Sequence, residues 1–262
     1  MPLAQWLIDL LGVWGPWMAL AVARPAGFAL VFSVFAWGHI NSGILRMGFA
    51  MVLAMPLLSQ GIDGHSLEEL ALPLPAALAK EVFLGVMLAF FASVPMAIAV
   101  GGGGIIDFYR GSFNGTMDPA SGQITPVATL FAICALWIFA NLGGFWIVAA
   151  MIYTSYEFWP VQASFPEFKG GAATFLHMIE MIALGALVLA GPMVFILFIS
   201  DMVHLASTKF GKQINVTHLA FSSKNLLVAA LLPVFMIVVV RALKDDFDLY
   251  RHAVKWMELA FR

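Results

Sequence analysis

No charged residue occurs from Pro119 to Tyr156, from Val82 to Ile106 or from Met181 to Ser200, and about 20 apolar residues suffice to cross hydrocarbon. Runs of this length are too long for a soluble core. Inside a bilayer every backbone polar group must find its partner within the chain, which leaves helices and closed barrels as the only spanning structures. The runs lack the strict alternation of a barrel strand, so the sequence predicts an all-α integral membrane protein. Composition agrees. Hydrophobic residues make up 62% and charged residues 11% of the 262, against roughly 45 to 50% and about 25% in soluble domains.

Six apolar stretches are read, at about Leu7 to Trp37, Ile44 to Leu58, Leu74 to Val100, Val127 to Tyr153, Phe175 to Ile199 and Leu226 to Val240. Arg24 and Pro25 interrupt the first, and proline disfavours helix at the residue before it, which predicts two helices or one kinked helix there. Pro56, Pro95, Pro192 and Pro233 fall within or near the other stretches, and neighbouring helices must satisfy the carbonyls they release. Such helices suit burial in an assembly. Neither a repeat nor a low-complexity linker divides the chain, so a single domain over 1–262 is expected. The N-terminus has no basic leader region or cleavage site of the signal-peptide kind, so the first helix is expected to stay.

Lys209, Lys212 and Lys224 lie between the fifth and sixth stretches, whereas residues 60–70 carry only acidic charge. The excess of basic residues on cytoplasmic loops places that connection in the cytoplasm. Arg241, Lys244, Arg251, Lys255 and Arg262 in the tail conflict with the topology that six simple spans would then require. A net charge of −2 without like-charged blocks gives no sign of a nucleic-acid partner. Cys134 is the only cysteine, which rules out an intrachain disulfide and a cysteine metal cluster.

Enzyme chemistry is not written in the chain, and no cofactor is expected. His177 and Glu180 lie three apart on one helix face, but two ligands without a third are a weak metal site, and a satisfied polar pair explains them better. Gly101 to Gly104 lacks the lysine and serine of a phosphate loop, so close helix packing or a flexible joint is the better reading. Four charges sit in or beside apolar runs: Arg24, Lys80, Glu81 and Glu180. An unpaired charge at mid-bilayer costs at least ~2.5 kcal/mol, so these four are expected to face partner subunits or water-filled space. For Arg24, snorkelling to headgroups or an intersubunit ion pair is the plainer account. Neighbours on a helix point roughly 100° apart, so Lys80 and Glu81 are expected to pair with other helices and not neatly with each other. A polytopic small-solute transporter would use such charges at the midplane, and it is the alternative reading.

Function is sought in the polar island IIDFYRGSFNGTMDPASGQITP, from Ile105 to Pro126. Irregular backbone at membrane depth is tolerated only where protein buries it or where it lines a cavity, so the island is either an exposed loop or a constriction in a pore. Asp107 and Arg110 open it, and Gly111, Gly115 and Gly122 punctuate it. Phe113 and Met117 are bulky and apolar between glycines, suited to project into a lumen or to anchor a loop at the interface. Asp118 and Pro119 start a turn.

IIDFYRG at 105–111, DPASGQ at 118–123, KEVFLGVMLAF at 80–90, NLGGFW at 141–146 and SYEFWP at 155–160, together with RPAGFALVF at 24–32 and INSGILRMGFAM at 40–51, resemble the SctT/FliR export-apparatus proteins of type III secretion systems and flagella. SYEFWP is similar to the virulence-type SctT branch. The Gly101 to Gly104 run and the FY of DFYRG depart from the family's pattern. The resemblance implies a structural subunit of an α-helical export gate built of bent hairpins, at the base of the secretion system in the bacterial inner membrane. It would join SctR/FliP-like and SctS/FliQ-like subunits and meet SctU/FlhB-like and SctV/FlhA-like export proteins, with unfolded secreted proteins as substrates. The island would be the plug loop that closes the channel, and the connection bearing Lys209 and Lys212 would match the cytoplasm-facing tip of a hairpin.

Overall fold

The computed structural model describes residues 2–37, 42–61, 70–111, 125–165, 171–207 and 216–248, and among these every regular element is helical. The helices are α1 (Pro2–Val31), α2 (Ser33–Trp37), α3 (Gly43–Gly61), α4 (Leu74–Tyr109), α5 (Pro126–Asn141), α6 (Gly144–Phe158), α7 (Gly171–Ser207) and α8 (Val216–Asp248). By length and apolar composition α4, α7 and α8 can each cross a membrane, and the broken pair α5 and α6 makes a fourth span if counted as one. Among the described residues three or four helices thus pass this test, so six spans are not confirmed. The first stretch divides into α1 and α2, the fourth into α5 and α6, and Gly43–Leu58 of α3 is a shorter apolar helix.

The breaks do not fall at the prolines. Pro16, Pro25, Pro56, Pro95, Pro192 and Pro233 all lie inside helices, so of the two arrangements expected at Arg24 and Pro25 the division into two helices does not occur there, and the chain departs from helix at Phe32. Membrane helices carry proline when side chains and neighbouring helices take over the freed groups. At the Phe32 break the amide of Ser33, which opens α2, donates to Ser93 Oγ on α4 at 3.1 Å, and Ser93 donates its own proton to Ala89 O at 2.7 Å. Arg46 on α3 donates to Leu30 O in the last turn of α1 at 3.2 Å, where a helix end leaves carbonyls unsatisfied. Between α5 and α6 the break falls at Gly143, whose φ of 71° is left-handed and suits glycine.

The described chain forms two compact units. The first is drawn from Met1–Ser93 and Gly143–Phe175, the second from Val94–Leu142 and Leu176–Leu249. In the first, α1 and α4 touch backbone to backbone. A Cβ on Gly27 would collide with Val82 O, and one on Gly85 would collide with Arg24 O and stand 2.8 Å from Phe28 N. Small residues are how membrane helices reach such distances. Phe28, Phe32, Phe35, Phe49 and Phe145 follow as a chain of ring contacts with centroids 4.7 to 6.2 Å apart.

In the second unit the glycine run of α4 is helical and three of its glycines pack closely. A Cβ at Gly101 would lie 3.0 Å from Ala186 Cβ, one at Gly102 would lie 2.9 Å from Leu189 Cδ2, and one at Gly103 would lie 2.5 Å from Ala128 Cα. Phe131, Ile138, Phe139, Met193, Leu197 and Val239 are buried there. Outward-facing positions of α7 and α8 stay apolar, with Val188 and Val234 exposed at 74% and 67%, as expected of helices whose surroundings are lipid or other membrane helices. Lys224, Arg241 and Lys244 lie inside α8 and not in a loop or tail. Lys224 pairs with Asp201 of α7 at 2.8 Å and lies over the Tyr109 ring at 5.2 Å.

Candidate functional site

Three elements distant in sequence meet in the first unit: RPAGF on α1, KEVFL on α4, and SYEFWP at the end of α6. Arg24 Nε donates to Glu81 Oε2 at 2.7 Å, Nη1 to Ser155 Oγ at 2.8 Å and Nη2 to Trp159 O at 2.8 Å. Its guanidinium also lies 3.8 Å over the Tyr156 ring. Such a planar fork can engage a carboxylate, a hydroxyl, a carbonyl and an aromatic face together, which a lysine cannot.

Lys80 spends its three protons on carbonyls beyond the end of α6, with Val161 O and Ala163 O at 2.8 Å and Pro160 O at 3.4 Å. Its Nζ also stands 3.2 Å from Glu81 Oε1, an ion-pair contact made although the two are neighbours on one helix. The two neighbours thus touch as charges, although Glu81 Oε1 accepts no hydrogen bond. The cross-helix partners foreseen for both residues are present as well. Arg24, Lys80 and Glu81 are 0, 1 and 0% exposed, so the same chain supplies the partners sought in other subunits or in water.

Two buried cations against one carboxylate leave an excess positive charge, offset by where they sit. The C-terminal end of a helix carries the negative end of its dipole, and the irregular chain after α6 presents further carbonyls. Arg24 and Lys80 satisfy the carbonyls of residues 159, 160, 161 and 163, fixing the chain as it leaves α6. Val161 thereby buries against Leu20 and Ala77. Sequence reasoning had SYEFWP only as a resemblance, and its Ser155 and Trp159 prove to be partners of Arg24. The polar Ser155 in an apolar run was the available signal. Glu180 lies on α7 in the second unit. It is 63% exposed, with Oε2 at 3.5 Å from His177 Nδ1.

In the second unit the start of the polar island is ordered by its first charges. Asp107, close to the end of α4, is 0% exposed, and its Oδ2 accepts from the amides of Val127 at 2.8 Å and Ala128 at 3.1 Å. These are first-turn donors of α5, which a helix cannot satisfy internally. Thr125 stands at the N-cap position but makes no side-chain capping bond, so Asp107 caps α5 from another helix. Arg110 Nη2 pairs with Asp107 Oδ1 at 2.7 Å. Gly111 then leaves helix with φ 86°, and its amide donates to Phe108 O at 3.0 Å. Phe113, Gly115, Met117, Asp118, Pro119 and Gly122 lie outside the described residues.

Residues 16–250 match the family described as bacterial export proteins, family 1. The chain belongs to this family. It is 27% identical over 209 residues to the Yop proteins translocation protein T of Yersinia pestis, covering 79% of this chain and 80% of that one. It is 29% identical over 208 residues to the surface presentation of antigens protein SpaR of Shigella flexneri, covering 76% and 79%. A third relative, the secretion system apparatus protein SsaT of Salmonella typhimurium strain LT2, is 26% identical over 162 residues, covering 60% and 59%. The resemblance to SctT-type export proteins is thereby shown, and the matched span of this export protein takes in both the Arg24 network and the Asp107 cap.

Proposed function

We propose that this chain is a nonenzymatic, multi-pass structural subunit of a type III secretion export gate in the bacterial inner membrane, forming part of the protein-export channel and supplying the polar island from Ile105 to Pro126 as its plug loop. The observation that carries the reading is the family match over residues 16–250, with relatives named for translocation and secretion. Its partners are SctR/FliP-like and SctS/FliQ-like subunits, with SctU/FlhB-like and SctV/FlhA-like proteins beside them and unfolded secreted proteins passing through. The apolar outward faces of α7 and α8 suit a helix-lined assembly. A small-solute transporter would need midplane charges open to its solute, whereas Arg24, Lys80 and Glu81 are buried and engaged within the chain. Purification in mild detergent separates the two readings. Copurification with two smaller helical membrane proteins supports the gate, and a self-contained monomer or homo-oligomer refutes it.

Phe113, between Gly111 and Gly115, and Met117, between Gly115 and Gly122, are the residues assigned to closure. Replacing both with Gly makes the closed complex leak ions, measured as membrane conductance at unchanged complex abundance. Unchanged conductance in assembled complexes removes the plug assignment.

Asp118 and Pro119 hold the base of the loop in this reading, since the proline ring fixes φ near −65° and the aspartate accepts from backbone donors downstream. Asp118→Ala raises leak or alters export while the number of assembled complexes stays near that of the parent. A fall in export strictly proportional to a fall in assembled complex, measured in one strain, identifies the turn as a folding element only.

A further inference from the structure

In the second unit, polar side chains gather where the end of α4 meets α7 and α8. His204 sits in the last turn of α7, one turn beyond the charge-free run from Met181 to Ser200, which is about long enough to cross hydrocarbon. Its ring is partly exposed and bridges two helices. Nδ1 lies 2.6 Å from Ser200 O on α7, with Ser200 Oγ further off at 3.4 Å, and Nε2 lies 3.0 Å from Ser223 Oγ on α8. A carbonyl can only accept, so Nδ1 carries a proton. Ser223 Oγ also lies 2.9 Å from Ala220 O, a second acceptor for its hydroxyl.

The arrangement has two complete hydrogen-bonding patterns on the same heavy atoms. With a neutral ring, Ser223 donates its proton to Nε2. With an imidazolium, the Nε2 proton is donated to Ser223 Oγ and the hydroxyl turns to Ala220 O, while Nδ1 donates to Ser200 O in both states. Uptake of a proton thus requires only the rotation of one hydroxyl. Imidazole is the side chain suited to changing charge between pH 5 and 8.

Charges of both signs surround the ring among the described residues. Asp201 lies one turn before His204 on α7 and pairs at 2.8 Å with Lys224, which follows Ser223 on α8. The Tyr109 hydroxyl at the end of α4 donates to Asp201, and the next residue, Arg110, is engaged by Asp107. An imidazolium at 204 meets Asp201 and the negative end of the α7 dipole favourably and Lys224 unfavourably. Asp201, Lys224 and a neutral His204 together carry no net charge, and proton uptake makes the group cationic.

We propose that His204 is a proton-binding site that joins α7 to α8 in both protonation states, so that this end of the unit changes its charge with pH while keeping its shape. The site stands apart from the plug reading and is tested without it. The test uses the full chain in the assembled complex with 15N-labelled histidine rings, and His204→Gln identifies the His204 signals by difference.

At pH 8 the neutral ring carries its proton on Nδ1, and both nitrogens become protonated between pH 8 and 5. Spin labels on Val203→Cys and Leu219→Cys, exposed positions of α7 and α8, in a Cys134→Ala parent report the same distance at both ends of the titration. Ser223→Ala lowers the midpoint by roughly half a pH unit or more, because the bond lost by the imidazolium is charge-assisted and stronger than the one lost by the neutral ring. Ser223→Thr keeps the hydroxyl and the parent midpoint. A neutral ring protonated on Nε2, a ring without a second proton at pH 5, or a label distance that shifts as the ring titrates overturns the proposal. So does a Ser223→Ala midpoint equal to that of the parent.

Discussion

Glu81→Ala collapses the folded population of the chain while leaving its insertion into the membrane intact. The substitution leaves Arg24 and Lys80 buried, 0 and 1% exposed, with the Ser155 hydroxyl and backbone carbonyls as their remaining acceptors and no counter-charge. Removing one partner of a buried ion pair costs about 3 to 5 kcal/mol, a large part of the ~5 to 15 kcal/mol that holds a domain together. Membrane insertion depends on hydropathy summed over each helix, and α4 only gains in hydropathy when a carboxylate is removed. The variant is therefore found in the membrane fraction but unfolds at lower temperature after detergent extraction, and less of it enters the complex. Glu81→Gln is milder, because its oxygen still accepts from Arg24 Nε. Arg24→Lys is nearly as severe as Glu81→Ala, since one ammonium cannot reach Glu81, Ser155 and Trp159 together. Glu81→Ala with the thermal stability of the parent would refute the network as a stabilising core.

Gly85→Ala has the second large effect, from a single methyl group. Its Cβ meets the backbone carbonyl of Arg24 and stands 2.8 Å from Phe28 N, and backbone has no rotamer by which to yield. The helices α1 and α4 must separate, which stretches the Arg24 to Glu81 contact one turn away. The cost lies at or above the upper end of the ~1 to 3 kcal/mol usual for overpacking. Gly104 of the same helix is the control, since nothing stands within 4 Å of an added Cβ there. Gly104→Ala gains helix propensity, on the order of 0.5 to 1 kcal/mol, and is neutral or stabilising. Equal unfolding temperatures for the two variants would show that α1 and α4 do not approach as closely as Gly85 requires.

The helical membrane class, the places of the apolar stretches and the family were legible in the residues. Hydropathy is a local quantity that adds along the chain, so runs such as Met181 to Ser200 declare themselves without knowledge of any neighbour. Asp107 was legible as a member of the island, but its role as a cap for α5 was not, because Val127 and Ala128 lie 20 and 21 positions away. Periodicity carries no information over that separation.

Proline left two arrangements open. Read locally, Pro25 divides or kinks a helix, and α1 runs through it to Val31 without dividing, as a membrane helix can where its surroundings satisfy the freed groups. The chain breaks instead at Phe32, where Ser93 of another helix receives the exposed amide of Ser33, and at Gly143, whose positive φ glycine allows.

By itself, then, the sequence determined that this protein is a bundle of apolar helices of the SctT/FliR kind, with few charges that must each be accounted for. Which charges meet was decided only in three dimensions. Arg24 finds Glu81, Ser155 and Trp159 at separations of 57, 131 and 135 positions, and Lys80 finds the carbonyls that follow α6. The physical reason is that burial of a charge is favourable only when several partners converge on it at once. Convergence of that kind is a property of packed helices and of no single stretch of chain.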